Sequence, residues 1–155
     1  MKTEYIIAGA LIFALAGVGG KVAYTQYKQR GIRNNNPGNI DYSASNPWKG
    51  QTGSDGRFAV FSDAVYGIRA LYKNLQTYRT KYRLVTIRGI ISRWAPASEN
   101  NTAAYIAAVS RAVGKLPDAT LAAEDYPALI AAIIQHENGV QPYTPDVIKR
   151  GIALA

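Results

Sequence analysis

Glu137 is the side chain of this sequence best placed to do chemistry. Within Ala128-Leu-Ile-Ala-Ala-Ile-Ile-Gln-His-Glu-Asn-Gly139, the residues Ile130, Ile133, Ile134 and Glu137 fall at i, i+3, i+4 and i+7, the spacing that aligns side chains along one stripe of a helix. The carboxyl is therefore expected on the apolar face, in a last turn where the helix carries partial negative charge. Burial and dipole both oppose ionisation there and are expected to raise its pKa. A carboxylic acid that keeps its proton near neutral pH is what general-acid cleavage of a glycosidic bond requires. A Glu in a final turn also serves as a solvated end or a buried ion-pair partner, so the pattern by itself leaves a structural role open.

The elements that must position this group read as one small domain. Asp125, Pro127 and the Asn138-Gly139 stop bound the Glu137 helix,. Upstream, Arg33-Asn-Asn-Asn-Pro-Gly-Asn-Ile40 is a turn cluster, in which Pro37-Gly38 suggests a type II-like turn,. Trp48 to Phe61 reads as a hairpin with Asp55-Gly56 at its tight turn,. Asp63 is expected to cap a helix running to about Tyr78, with Ala64, Ile68, Leu71, Leu75 and Tyr78 on its stripe,. Thr86 opens a shorter helix with Ile87, Ile90, Ile91 and Trp94 on its apolar face, ended by Ala95-Pro96; Asn101 or Thr102 caps another, which stops at Gly114,. Thr144-Pro-Asp starts a last short helix.

Composition narrows the chemistry. A chain of 155 residues with 48% apolar content is long enough for a single core,. With no Cys and a single His, no disulfide framework, thiolate site or multi-His metal site can form, so no metal and no cofactor are expected,. The formal charge of +8 points to an anionic partner: nucleic acid, phospholipid head groups, or a bacterial wall bearing carboxylates,. The basic, aromatic run Arg79-Thr-Lys-Tyr-Arg83 reads as a solvated helix end, and no recognised nucleic-acid motif accompanies it, so nucleic acid is not the expected partner,.

Residues 6–20 carry no charge and are flanked by Tyr5 and Tyr24, the pattern of interfacial anchors around a short span. A cleavable signal peptide competes with this reading, through Ala14-Leu-Ala16,. The expectation is a single-pass anchor over residues 5–24, giving a membrane and basic juxtamembrane segment at 1–30 and a folded domain at 31–155. Lys21, Lys28, Arg30 and Arg33 would hold the domain on the cytoplasmic side of a host membrane,, although a membrane enclosed in a virus particle has a different sidedness.

Gly31-Ile-Arg-Asn-Asn-Asn-Pro-Gly-Asn-Ile40, the run Trp48…Gly50-Gln-Thr-Gly53…Phe58-Ala-Val-Phe61…Gly67-Ile-Arg-Ala70, and Arg93-Trp-Ala-Pro-Ala-Ser-Glu-Asn-Asn-Thr102 with Tyr105-Ile106 resemble a family of phage and prophage virion proteins. Its members look like lysozyme-superfamily muralytic domains, of the kind that membrane-containing phages carry as lytic transglycosylases. A more distant similarity is to bacterial glucosaminidases, whose catalytic helix precedes a strand that Asn36-Pro-Gly-Asn-Ile40 resembles. That helix would fall where the apolar segment lies, so the resemblance implies a circularly permuted core in which Glu137 takes the acid's role. The family's basic residue after Asn-Ile is replaced here by Asp41.

The resemblance implies a mainly α, lysozyme-like α+β fold with a small β-hairpin region and one N-terminal membrane helix. It also implies a peptidoglycan-degrading lytic transglycosylase or muramidase, located in a virion membrane or in the host inner membrane and periplasm. Its partners would be peptidoglycan, lipid and other virion proteins. Glu137 is the expected acid. Glu99 is second, with a competing role in stabilising the N-terminus of the helix that follows it,. No second carboxylate is placed by spacing, which favours a transglycosylase route in which one carboxyl is acid and then base. Tyr42, Tyr105 and Tyr143 could orient or stack on sugars; Asn36, Asn39 and Asn100 could bind acetamide groups, with turn and cap roles an equally good account,. Two other readings stand beside this one: a non-catalytic minor virion membrane protein, and an endolysin with a releasable signal anchor.

Overall fold

The computed structural model describes residues 30–98 and 100–155. They form a mainly helical fold with one small antiparallel sheet. Residues 30–33 make a helical turn that leads into the Asn-rich cluster. Strands β1 (Gln51–Ser54) and β2 (Ala59–Phe61) pair with a register irregularity between Gln51 and Gly53. Helices α1 (Ala64–Lys81), α2 (Ile87–Trp94) and α3 (Thr102–Val113) follow, and then a 3-10 turn (Ala123–Asp125), α4 (Tyr126–Asn138) and α5 (Pro145–Ala153). The predicted membrane segment, residues 5–24, lies outside the described residues. Among those described, no helix is long and apolar enough to cross a membrane.

Local chemistry explains most boundaries. The side chains of Asp63, Thr86, Asn101 and Thr144 each accept a hydrogen bond from a backbone N–H of the first turn that they cap, a contact worth about 1 kcal/mol apiece. Gly114 and Gly139 end α3 and α4 with φ of 74° and 76°, a left-handed conformation open to glycine at little cost.

Several sequence expectations need correction. Asp125 does not cap α4 with its side chain. Its carboxylate turns back to accept from the Ala122 backbone N–H and from Lys115 Nζ, because a 3-10 turn precedes the helix. The Asp55-Gly56 pair is not the centre of the hairpin turn: Asp55 N–H donates to the Phe58 carbonyl, which places Gly56 and Arg57 at the centre with Gly56 at φ 105°. Pro37-Gly38 does not form a type II turn, since the positive φ values fall on Asn35 (52°) and Asn39 (49°), not on Gly38. Residues 36–40 are a turn and not a strand; pairing begins only at the isolated bridge Asp41–Phe58. Helix α1 runs on to Lys81.

Helix α4 is the centre of the packing and touches α1, α3 and α5. Leu129, Ile130, Ile133 and Ile134 are fully buried on it, and each such side chain contributes roughly 1.5–3 kcal/mol of hydrophobic stabilisation. Two close approaches set where the neighbours sit. A Cβ on Gly151 of α5 would lie 2.5 Å from Ile68 Cγ2 of α1, and a Cβ on Gly67 of α1 would lie 2.0 Å from the Asn35 carbonyl oxygen. The second contact seats the Asn-rich turn directly on α1.

Candidate functional site

The site is assembled by four segments that meet at the C-terminal end of α4. Glu137 is 2% exposed, on the apolar face that its spacing predicts. Its Oε1 accepts from Trp94 Nε1–H at the end of α2 and from the Tyr105 hydroxyl on α3, both at 2.9 Å. Its Oε2 lies 3.3 Å from Asn39 Nδ2, which donates from the Asn-rich turn. Sequence separations of 98, 43 and 32 residues are closed at one carboxylate.

Each partner is held by its own local structure. Asn39 occupies the left-handed region at φ 49°, a conformation that Asn tolerates better than most residues. Its N–H donates to the Asn36 carbonyl. Asn138, the neighbour of Glu137, donates through Nδ2 to the Pro37 and Ile134 carbonyls and so ties the end of α4 to the same turn. The Oδ1 atoms of Asn39 and Asn138 are both buried without a hydrogen-bond partner. They converge near Gly31, where a Cβ would sit 2.7 Å from the first and 2.5 Å from the second. Only a glycine leaves room for that approach.

Tyr105 is buried, and His136 stacks on its ring with centroids 3.5 Å apart and planes 16° from parallel. Burial pushes the Tyr105 phenol well above its ordinary range, and the charge and hydrogen bond of Glu137 add to this. The hydroxyl therefore remains a proton-bearing donor to Oε1 at any physiological pH. Two donors fixed on Oε1 give the carboxyl a defined orientation,.

The other predicted residues are dispersed. Asn36 is fully buried and committed to the fold: its Nδ2 donates to the Ile40 and Ala59 carbonyls, and its Oδ1 accepts from Ile40 N–H. It has no donor left for an acetamide. Tyr42 is 42% exposed on the hairpin side. Asn100 is half-buried and donates to the Pro96 carbonyl. Tyr143 is half-buried after α4, its phenol pushed up by burial and then by the charge of Asp63. Glu99 lies outside the described residues. Of the predicted set, Glu137, Asn39 and Tyr105 are brought together.

Three residues of the cluster were not singled out for this role by sequence. Trp94 read as an apolar-face residue, His136 as the single histidine of the chain and Asn138 as a stop signal. One signal was available: a buried indole N–H must find an acceptor, and Trp94 is predicted buried by its own helical stripe. A second charged cluster braces the hairpin. The Arg30 guanidinium and the Asn34 amide both donate to the Asp55 carboxylate, and the Phe58 and Arg57 N–H groups donate to it as well. Although burial pushes the Asp55 carboxyl up, these donors outweigh it and hold the group well below the usual carboxylate range.

No protein-family model matches the sequence. The chain is 46% identical over 126 residues to Protein P5 of Pseudoalteromonas phage PM2, an alignment that covers 79% of each of the two proteins. Identity at that level over most of both chains makes this a bacteriophage protein, a member of the family of phage PM2 Protein P5.

Proposed function

We propose that the protein is a virion-associated, peptidoglycan-degrading enzyme that cleaves the glycan strand with Glu137 as general acid and base, without metal or cofactor, to open the wall for the phage. The observation that carries this reading is the seating of Glu137, a buried carboxyl at a helix end oriented by donors from α2, α3 and the Asn-rich turn. Oε1 holds the two short contacts, so Oε2 is assigned the transferable proton. In the first half of the reaction Oε2–H protonates the leaving glycosidic oxygen as the bond to C1 breaks. In the second, Oε2 takes the proton of the muramic acid C6 hydroxyl as that oxygen bonds to C1 and closes an anhydro ring. A lysozyme-type outcome uses water in place of that hydroxyl. Trp94 and Tyr105 stabilise the carboxylate formed between the two steps. The charge of +8 suits an acidic wall polymer,, and residues 5–24 would tether the domain to the virion membrane among other virion proteins.

A second reading is favoured by the near-complete burial of Glu137. In it the protein is a non-catalytic minor virion protein, and the carboxylate pins α2, α3 and the turn together. Zymography on wall material separates the two: the proposal expects a clearing band that Glu137→Gln abolishes while the variant stays folded. A signal-anchor endolysin differs from both in being released from the membrane on depolarisation, which fractionation reads directly.

A further inference from the structure

At the other end of α4, roughly 16 Å from Glu137 at about 1.5 Å per residue, α1 and the 3-10 turn enclose a cleft of about 490 Å³. Its walls carry Tyr72, Lys73, Gln76, Arg79 and Tyr126, with Thr77 and Thr80 at the side. The size is that of a small-ligand site, and its chemistry is specific. Tyr72 and Tyr126 meet edge to face with centroids 5.8 Å apart, forming an apolar corner. Neither Lys73 nor Arg79 has a carboxylate within ion-pair distance among the described residues. Arg79 is oriented by donating Nη1 to the Leu121 carbonyl and by lying over the Tyr126 ring.

The Thr77 and Thr80 hydroxyls donate to helix carbonyls, which leaves their oxygens as acceptors. The hydroxyl of Tyr126, a residue 3% exposed, is buried without a partner. A buried phenol at the wall of a cleft is an unmet demand for a hydrogen bond. The nearby acid Asp125 is engaged by Lys115 and the Ala122 N–H, and Glu124 is not part of the lining.

Cations, neutral donors and acceptors around an aromatic corner match a polyol that bears a negative charge. We propose that this cleft is a second, non-catalytic binding site for a carboxylate-bearing saccharide. Tyr72 takes the sugar's apolar C–H surface, the Tyr126 hydroxyl, the threonine oxygens and Gln76 its hydroxyl or acetamide groups, and Lys73 with Arg79 its carboxylate. The site depends on no property of Glu137.

The test is a set of NMR titrations of the isotope-labelled full chain in detergent with three probes. N-acetylmuramic acid has both the sugar and the carboxylate, N-acetylglucosamine lacks the carboxylate, and lactate lacks the sugar. N-acetylmuramic acid is expected to shift the amides of Gln76, Thr77 and Ala123 and to bind at least fivefold more tightly than either of the others. Lys73→Gln should remove its advantage over N-acetylglucosamine. Tyr126→Phe should weaken N-acetylmuramic acid several-fold without lowering the urea midpoint, because the lost hydroxyl has no partner within the fold. Equal binding of N-acetylglucosamine or of lactate, unchanged affinity in Lys73→Gln, shifts confined to other surfaces, or no shifts at all would each overturn the proposal.

Discussion

Replacing Glu137 by Gln separates the catalytic from the structural role, and the hydrogen bonds at the site say what the change should cost. In the variant the retained side-chain oxygen still accepts from Trp94 and Tyr105, the two contacts at 2.9 Å. The new amide nitrogen meets Asn39 Nδ2, a donor facing a donor across 3.3 Å. Turning the Asn39 amide over resolves this. Its Oδ1, now buried without a partner, would accept from the introduced amide, and its Nδ2 would swing toward Gly31, where the equally unpartnered Asn138 Oδ1 lies. Against an ionised Glu137 the variant exchanges charge-assisted bonds of roughly 1.5–3 kcal/mol for neutral ones of about 0.5–1.5, and against the protonated acid it exchanges neutral bonds for neutral ones. It also gives the buried Asn39 Oδ1 a donor, worth about 1–3 kcal/mol, and against the ionised form it removes the desolvation of a charge,. These effects nearly cancel, so the unfolding free energy should stay within about 1 kcal/mol of the parent. Glu137→Ala has no such escape: the Trp94 and Tyr105 donors are left buried and unpaired beside a small cavity, a loss of about 3–5 kcal/mol. Urea unfolding followed by tryptophan fluorescence measures both variants, and zymography or turbidity loss of wall suspensions measures turnover. Glu137→Gln should lower turnover by roughly 100-fold or more. If it clears the wall at the parental rate, Glu137 is not the acid. If it is as unstable as Glu137→Ala, the amide-turnover reasoning is wrong.

Tyr105→Phe removes one donor to a buried carboxylate and should cost about 1.5–3 kcal/mol in urea unfolding; on the proposed mechanism turnover should also fall about tenfold or more, and an unchanged midpoint would mean that the hydroxyl does not hold Glu137. Gly67→Ala places a Cβ 2.0 Å from the Asn35 carbonyl, an overlap with backbone that should cost about 3 kcal/mol or more, whereas Gly53→Ala, with nothing within 4 Å of its Cβ, should be nearly neutral; matching midpoints for the two would refute the close turn-to-helix contact. The Asp55 carboxyl is held below its unfolded value near 3.9,, so its contribution is complete above about pH 4 and is lost as pH falls through the folded pKa. For a part-exposed pair screened by salt this amounts to about 1 kcal/mol, and Asp55→Asn should flatten the acid limb of a stability-against-pH curve by that much. An acid limb unchanged in the variant would count against the clamp.

How far the sequence reached depended on the range of the interaction. Caps at Asp63, Thr86, Asn101 and Thr144, and the stops at Gly114 and Gly139, were legible because each is decided within four residues. Burial of Glu137 was legible from the period of α4. Its partners were not, because Asn39, Trp94 and Tyr105 reach it from distant segments, and no local pattern encodes which buried donor meets which acceptor. Asn36 shows the converse. Its turn role and a ligand role were equivalent on paper, and three hydrogen bonds inside the fold decide for the turn. Asp125 stands at the N-cap position as expected, but its side chain does not cap the helix; a good cap residue followed by Pro127 looks the same whether or not a 3-10 turn stands before the helix.

The Arg30–Asp55 clamp also fixes how mechanical load enters the domain. A pull on the chain at residue 30 reaches Arg30 first, and its bidentate grip on Asp55, seconded by Asn34, passes part of the force to the hairpin. From the hairpin, Phe61 N–H donating to the Asn34 carbonyl and Ala59 N–H donating to the Ile40 carbonyl carry it into the turn that presents Asn39. Tension applied at residue 30 is thus shared among short cross-links to the hairpin and the turn, as a buttress shares the load of the wall behind it.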